Sequence, residues 1–212
     1  MTTFSQIRLV CSICEKSFKS NSIASCGFAS KRTDFRPNYW GFNPVEYFVH
    51  LCPNCGFCSP KQLFDSKIEN DDAIIEILEI DTVQVYDLPH KLERGVLCLE
   101  ILNKFGIADR NEFELGDSWL YPYWWATSPN EERKFGEKVL KYFEVAFEKG
   151  QIPSDQFYSI LYLMGEINRR IGKVEEANMY FDEVISLTEN REDLENIRNL
   201  AIQQKTDPKE NI

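Results

Sequence analysis

Four cysteines arranged as two Cys-x-x-Cys pairs are the residues of this chain best suited to chemistry. The first pair is Cys11 and Cys14, and the second pair is Cys52 and Cys55. Each pair can present two thiolates from one tight turn, and four thiolates complete the tetrahedral shell of a structural zinc ion. A complete shell leaves no open position for a substrate, so the pattern predicts a structural Zn²⁺ site and not a catalytic metal.

Two other interpretations of the paired cysteines are less favoured. Cys52-Pro53-Asn54-Cys55 also has the spacing of a redox dithiol, but such a motif needs a helix N-terminus to lower the thiol pKa. Gly56 and Pro60 disfavour a helix there, and a second matching pair favours metal. Buried thiols without a ligand are the remaining alternative. Additional metal-binding roles are left open for three nearby side chains: Cys26, His50 and Cys58.

Short β-strands are expected to lead into each pair. Residues 6–10 alternate apolar and polar side chains before the first pair, and residues 17–19 return as the second strand of a hairpin. Residues 47–51 lead into the second pair in the same way. The metal-binding turn needs a residue that tolerates positive φ directly after its second cysteine. Gly56 meets this requirement, whereas Glu15 is a poorer choice for the first turn.

The spacer between the pairs is longer than a compact zinc ribbon requires. It has 37 residues, whereas such ribbons have about 15–20. Residues 32–46 account for the excess and are rich in turn-forming and aromatic residues. This composition favours an ordered loop over a flexible linker.

The spacer and the second pair carry a family resemblance. A run of charged, aromatic and Asn-Pro residues precedes the second pair: Lys31-Arg32-Thr33-Asp34-Phe35, Tyr39, Gly41, Asn43-Pro44 and Tyr47. Together with Cys52-Pro53-Asn54-Cys55-Gly56-Phe57, this run resembles a prokaryotic family catalogued only as domain of unknown function number 2225. The resemblance covers residues 7–60 closely and the remainder by architecture. It implies zinc binding followed by tetratricopeptide-like helices, and it implies no established activity.

Helical patterns fill the second part of the chain. Ser128 begins a capping box with proline at the next position, and Gly106, Gly150 and Gly172 follow apolar stripes as helix-ending residues. The expected helices are 88–105, 129–149, 153–171, 174–188 and 192–204.

Four segments are harder to predict. The aromatic run at 119–125 is expected to be interrupted at Pro122, or to start a helix there. Residues 73–80 have helical spacing, and residues 82–86 alternate like a strand. The polar tail at 206–212 is expected to fray.

Residues 158–188 resemble one tetratricopeptide repeat. The small residues Gly165 and Ala177 fall where two helices of such a repeat approach closely. A single repeat cannot bury both of its faces, so the helices at 129–149 and 88–105 are expected to stack against it as degenerate repeats.

The charge distribution divides the chain near residue 67. Residues 1–67 contain eight Lys or Arg and four Asp or Glu, whereas residues 68–212 contain sixteen and thirty. We therefore expect two domains, a zinc-ribbon-like module at 1–67 and a tetratricopeptide-like helical domain at 68–212. Together they give an α+β fold that is mainly α. The acidic helical domain is poorly suited to binding a phosphate backbone.

A protein-interaction function is the main hypothesis, and an enzyme is not expected. The two histidines, His50 and His90, form no recognisable catalytic constellation, and there is no glycine-rich phosphate loop. A helical groove that binds an unidentified protein or peptide would account for the second domain. The candidate binding residues are Trp124, Trp125, Arg169 and Arg170, for which core packing and pairing with nearby acids are the simpler interpretations.

Nucleic acid is the alternative partner, because the N-terminal module is basic. Its candidate contacts are Arg8, Lys19, Lys31, Arg32 and Arg36 near the aromatic residues Phe35, Tyr39 and Trp40. No apolar run approaches the ~20 residues that span a bilayer, so no membrane partner is expected. The first residues lack a basic stretch followed by an apolar one, which makes the cytoplasm, with reduced thiols, the expected location.

Overall fold

The computed structural model describes residues 2–81 and 87–212. Within these residues, small antiparallel sheets near the N-terminus precede seven α-helices, so the fold is α+β and mainly α. The strands form two-stranded sheets: β1 (Thr3–Val10) with β2 (Ser17–Ser25), β3 (Phe28–Lys31) with β4 (Pro37–Tyr39), and β5 (His50–Leu51) with β6 (Cys58–Ser59). The helices are α1 (Asp71–Glu79), α2 (Leu88–Lys104), α3 (Glu112–Trp124), α4 (Pro129–Glu148), α5 (Phe157–Arg170), α6 (Val174–Thr188) and α7 (Glu195–Thr206).

The predicted first hairpin is confirmed and is longer than its sequence pattern indicates. Leu9 of β1 lies opposite Phe18 of β2, and both side chains are buried. The strand predicted at 47–51 is only partly present, because a 3₁₀ helix at Pro44–Tyr47 takes up its beginning. The side chain of Asn43 caps that helix, and proline at its first position fits the required φ.

Helix α3 continues through Pro122, so the predicted interruption is wrong. The helix begins with a capping box formed by Asn111 and Glu114, a pattern that the sequence contains three residues apart. Trp119 and Tyr123 are 0% and 2% exposed on its inner face. Pro122 lacks the amide that would donate to the carbonyl of Ser118, but only two helical residues follow it. The buried aromatic face outweighs that loss.

Two helix pairs use the same close contact between a glycine and an aromatic ring. A Cβ on Gly165 of α5 would lie 2.8 Å from Cε1 of Phe181 on α6. A Cβ on Gly116 of α3 would lie 2.6 Å from Cδ1 of Phe143 on α4. The close approach of two helices predicted at Gly165 is therefore confirmed. Helices α3 and α4 approach each other in the same way at Gly116.

The buried core is continuous across the predicted domain boundary at residue 67. Cys11, Cys52 and Phe57 of the N-terminal part pack in one cluster with Cys98 and Leu102 of α2. A second cluster joins α2 to α5, and a third joins α5 to α7. The cysteine turns therefore share a core with α2, and the division into domains 1–67 and 68–212 stays a prediction.

The segment after the second cysteine pair contains one confirmed helix. The helix predicted at 73–80 is α1, and the side chain of Asn70 caps it by accepting a hydrogen bond from the amide of Ala73 at 2.9 Å. The strand predicted at 82–86 lies outside the described residues. Within the part of the chain that is described, no helix has the length and apolar character to cross a membrane.

The C-terminal tail is anchored, so the predicted fraying is wrong. The amide of Thr33 donates to the carbonyl of Glu210 at 3.1 Å, and the amide of Ile212 donates to the carbonyl of Lys31 at 3.0 Å. The tail therefore pairs with the loop between the two cysteine pairs. The polar composition of the tail does not indicate this pairing, because the hydrogen-bonding groups belong to the backbone and not to the side chains.

Candidate metal centre

The two cysteine pairs converge on one point. Among the described residues, one group of metal-ligating side chains has ligand atoms within 4.8 Å of one another: Cys11, Cys14, Cys52 and Cys55. The Sγ of Cys11 is 3.5 Å from that of Cys55, and the Sγ of Cys14 is 3.7 Å from that of Cys52. A tetrahedral ion with metal–sulfur bonds of about 2.3 Å needs sulfurs about 3.8 Å apart. The four sulfurs therefore fit a bound metal ion.

The two turns have the same backbone conformation. In each turn, the amide of the first cysteine donates to the carbonyl five residues later, at 3.0 Å for Cys11 and 2.8 Å for Cys52. The residue after the second cysteine has positive φ in both, +57° at Glu15 and +76° at Gly56. The predicted requirement for positive φ is confirmed, and the first turn meets it without a glycine.

Replacing Glu15 with glycine is expected to stabilise the first turn. A residue with a side chain loses about 1–2 kcal/mol in the left-handed conformation, so we expect the free energy of unfolding to rise by about 1 kcal/mol. Denaturant unfolding of the metal-loaded protein measures this. Glu15 also forms an exposed ion pair with Lys67, so Lys67→Ala is the control. A Glu15→Gly protein less stable than the Lys67→Ala protein would contradict the prediction.

Hydrogen bonds to sulfur prepare the cluster for a cation. The hydrogen bond from the Cys55 thiol, with those from the amides of Cys14 and Ile13, lowers the pKa of Cys11 to about 5. The same pairing with Cys11 raises the pKa of Cys55. Cysteines bind a metal ion as thiolates, so hydrogen bonds that lower the pKa of a thiol favour its role as a ligand.

A buried arginine fixes the second turn from α2. Arg94 is 2% exposed, its Nε donates to the carbonyl of Gly56, and its Nη1 donates to the carbonyl of Ile80 at 3.1 Å. A Cβ on Gly56 would lie 2.7 Å from the Nη2 of Arg94. Glycine is therefore favoured at this position by its φ, and a larger residue would also displace the guanidinium of Arg94.

The first turn is held by the segment that precedes α1. The hydroxyl of Ser12 donates to the carbonyl of Leu63 at 2.6 Å, and the amide of Ile68 donates to the carbonyl of Ser12 at 2.9 Å. Both turns thus have contacts outside the ligands themselves, which orient the sulfurs.

The three additional candidates lie outside the cluster of four sulfurs. Cys58 is fully buried with its Sγ 3.4 Å from the carbonyl of Lys91, and burial raises the pKa of its thiol. The Nδ1 of His50 is 2.7 Å from the hydroxyl of Ser20, and burial lowers the pKa of this histidine to about 4. Cys26 is exposed. The contacts of Cys58 and His50 are those of packed, hydrogen-bonded core residues.

The predicted binding residues Trp124 and Trp125 contact the loop between the cysteine pairs. The indole Nε1 of Trp124 donates to the carbonyl of Asp34 at 2.9 Å. The guanidinium of Arg36 lies 5.7 Å from the ring centroid of Trp125 and donates to the carbonyl of Trp124 at 3.1 Å. These contacts join the end of α3 to the N-terminal module.

The predicted binding residues Arg169 and Arg170 also have partners within the chain. Both form ion pairs with Glu166, whose side chain is fully buried, at 2.8 Å and 2.7 Å. Arg170 also donates to the hydroxyl of Thr33 at 3.0 Å and to the carboxylate of Glu210 at 2.9 Å. The structure therefore brings the four predicted residues to the loop and the tail, and their role in binding a partner stays a prediction.

Sequence reasoning missed the buried acid at the centre of these contacts. Asp34 is fully buried, forms an ion pair of 2.8 Å with Arg32, and lies 3.7 Å from Arg170. The next residue, Phe35, has a φ of +65° and packs against the ring of Tyr162 with centroids 5.4 Å apart. The available signal in the sequence was the alternation of basic and acidic residues within an aromatic loop. A buried charge needs a fixed partner of opposite charge, and such a pattern offers one.

One of three comparisons with known proteins found a match for this chain. The family described as "Uncharacterized protein conserved in bacteria (DUF2225)" matches residues 4–207. No curated protein and no solved structure matches the chain. The family match includes both cysteine turns and all seven helices of the described residues, and it confirms the resemblance seen in the sequence. The chain therefore belongs to this uncharacterised bacterial family, DUF2225.

Proposed function

We propose that the four cysteines bind one Zn²⁺ ion with a structural role, and that the chain is a non-enzymatic adaptor of the cytoplasm. Four sulfur ligands in tetrahedral spacing favour zinc over calcium and magnesium, which take oxygen ligands. Four protein ligands also complete the coordination shell, so the ion supplies folding energy and not an open position for chemistry. Reduced thiols are typical of cytoplasmic proteins.

A groove between α4, α5 and α6 carries the adaptor proposal. It has a volume of about 560 Å³, and Leu140, Asn168, Met179 and Tyr180 contribute to its lining. Met179 is 73% exposed. An exposed, flexible thioether in a concave site is typical of surfaces that bind apolar side chains of other proteins.

The charges around the groove indicate the chemistry of its partner. The lining contains four glutamates and two lysines: Glu137, Glu144, Glu176, Glu183, Lys141 and Lys173. Glu137 and Lys173 form an ion pair of 3.2 Å. Glu144, Glu176 and Glu183 form no ion pair with the described residues. We therefore propose a peptide or helix that carries basic residues and one apolar side chain directed at Met179.

Selection from a random peptide library on the metal-loaded chain tests this function. We expect selected peptides to be rich in Lys and Arg with an apolar anchor. Met179→Lys removes the thioether and adds a repelling charge, so it is expected to weaken their binding about tenfold or more.

Leu187→Lys is the matched control, because Leu187 is also an exposed apolar residue of α6, at 46% exposure, and does not line the groove. We expect this variant to bind the peptides as the unchanged chain does. Equal loss of binding in both variants, or no effect of Met179→Lys, would argue against the groove as the binding site.

A further inference from the structure

One face of the β1–β2 hairpin is exposed and carries no acidic residue. Directly opposite residues share a face of a hairpin, and alternate residues along a strand repeat that face. The face therefore comprises Phe4, Gln6, Arg8 and Val10 of β1 with Ser17, Lys19, Asn21 and Ile23 of β2. All four β1 members are exposed, and neither strand contains Asp or Glu. We call this set the ribbon face.

Two like charges meet in the middle of the ribbon face. Arg8 and Lys19 lie directly opposite each other, and both are exposed. Within the described part of the chain, neither side chain forms an ion pair or a hydrogen bond. Like charges directly opposite one another destabilise a two-stranded sheet. A bound anion would neutralise that repulsion. The pair therefore fits an anion-binding role better than a role in stabilising the hairpin.

Aromatic rings lie at the end of the ribbon face that is farthest from the turn between β1 and β2. Phe4 and Phe42 are 52% and 47% exposed. The centroid of the Phe4 ring lies 6.1 Å from that of Phe42 and 5.8 Å from that of Tyr47, and the Phe42 and Tyr47 rings are stacked at 5.8 Å. Arg8 and Phe4 are four residues apart on the same face, about 14 Å along the strand. A cationic site and an aromatic platform thus lie within reach of one short polymer.

We propose that the ribbon face binds single-stranded nucleic acid. Arg8 and Lys19 contact the phosphates, and Phe4 with Phe42 provides a surface on which an unpaired base stacks. Cations that follow the backbone and rings that stack on bases are how proteins bind single strands without sequence preference. A duplex fits less well, because its bases are already stacked.

Solvent ions weaken the repulsion between the acidic helical part and a nucleic acid on the ribbon face. The charge of the helical part is screened beyond about 8 Å at physiological ionic strength. Other basic residues expected from the sequence to contact nucleic acid are not available in the same way. Arg32 pairs with Asp34, and Arg36 donates to the carbonyl of Trp124. Arg8 and Lys19 therefore differ from Arg32 and Arg36, because no partner among the described residues occupies them.

Fluorescence anisotropy with labelled oligonucleotides of uridine and of thymidine, each of ~12 nucleotides, tests the proposal on the full metal-loaded chain. We expect binding at ~20 mM salt that weakens by ~200 mM. Each phosphate contact with a single strand contributes about −0.7 to the slope of log K against log salt. Loss of two contacts in Arg8→Glu/Lys19→Glu should therefore make the slope less steep by about 1.4, and it should lower the affinity about tenfold or more. Phe4→Ala should weaken binding without changing the slope.

Two controls separate binding from folding and from net charge. Arg133→Glu/Lys138→Glu makes the same charge change on α4 and should retain the affinity. Lys19→Glu alone places an opposite charge across from Arg8, so it should raise the temperature of unfolding while it weakens binding.

Binding of either oligonucleotide with these variant effects supports the proposal, and the stronger of the two shows whether RNA or DNA is preferred. Absence of binding at low salt overturns it. An equal loss of affinity in Arg133→Glu/Lys138→Glu and in Arg8→Glu/Lys19→Glu also overturns the proposal. Binding to phosphatidylserine vesicles without binding to oligonucleotides overturns it as well.

Discussion

Replacing Cys52 with serine is expected to abolish metal binding and to unfold the region around both turns. Three remaining thiolates cannot complete the tetrahedral shell. A structural zinc ion contributes about 10–16 kcal/mol of apparent binding energy to folding, which is comparable to the whole stability of a typical domain. Because Cys52 packs in the same core as Cys98 and Leu102 of α2, faster hydrogen exchange should extend from the turns into α2. Elemental analysis and hydrogen exchange measure the two effects.

Cys26→Ser is the matched control for this experiment. Cys26 lies in the same module, but it is exposed and lies outside the four-sulfur cluster. We expect this variant to keep its metal and its exchange pattern. A Cys52→Ser protein that retains the metal and the slow exchange of α2 would show that Cys52 is not a necessary ligand.

Replacing Arg170 with alanine is expected to lower the free energy of unfolding by about 3–5 kcal/mol, the usual effect of removing one partner from a buried ion pair. The Nε of Arg170 lies 2.7 Å from an oxygen of Glu166 and 3.7 Å from an oxygen of Asp34. Both carboxylates are fully buried, and the arginine side chain is 7% exposed. Without the guanidinium, two buried negative charges lose a shared partner. Chemical denaturation of the metal-loaded protein gives the change.

Arg169→Ala serves as the control, because the Arg169 side chain is 20% exposed and pairs with Glu166 at the edge of the same network. Its effect should be smaller, since solvent replaces part of the lost interaction. Arg170→Ala combined with Glu166→Gln should destabilise less than the sum of the single changes, because the two residues interact directly. Additive effects, or a loss below about 1 kcal/mol for Arg170→Ala, would contradict a coupled buried network.

The cysteine turns were predictable because the information that specifies them is local. Each turn needs two thiols at a fixed spacing and a residue with positive φ after the second. The cysteine spacing can be read from both pairs, whereas the glycine can be read from the second pair only. Gly56 has a φ of +76°, and Glu15 has a φ of +57° although its residue type is a poorer choice for that position. The same holds for α4, which starts from the capping box of Ser128 and Glu131. Short-range hydrogen bonds of this kind leave a pattern in adjacent residues.

The contacts of the loop between the cysteine pairs were not predictable, because they join residues far apart in the chain. Thr33 and Glu166 form a hydrogen bond of 2.7 Å across a separation of 133 residues. Trp124, Arg169 and Arg170 were recognised as unusual, but composition does not show whether such residues meet a partner protein or another part of the same chain. Their intramolecular contacts appear only when the helices are packed.

Those long-range contacts connect the metal centre to the helices. The loop that carries Thr33 and Asp34 starts after the first cysteine pair and returns to the second. Its middle is fixed by Glu166 and Arg170 of α5. A metal ion bound to the four cysteines would therefore stabilise the ends of the segment whose middle is held by helix packing, and each should strengthen the other.

The metal-to-chain ratio of protein purified without added metal tests the central claim most directly. The account predicts one zinc ion per chain, held by the four clustered thiols, with Cys26 as the exposed thiol that reacts before chelation. No metal in the reduced, folded protein, or a disulfide between Cys52 and Cys55, would contradict it. Iron at the same ratio would keep the four ligands and contradict the assignment of zinc.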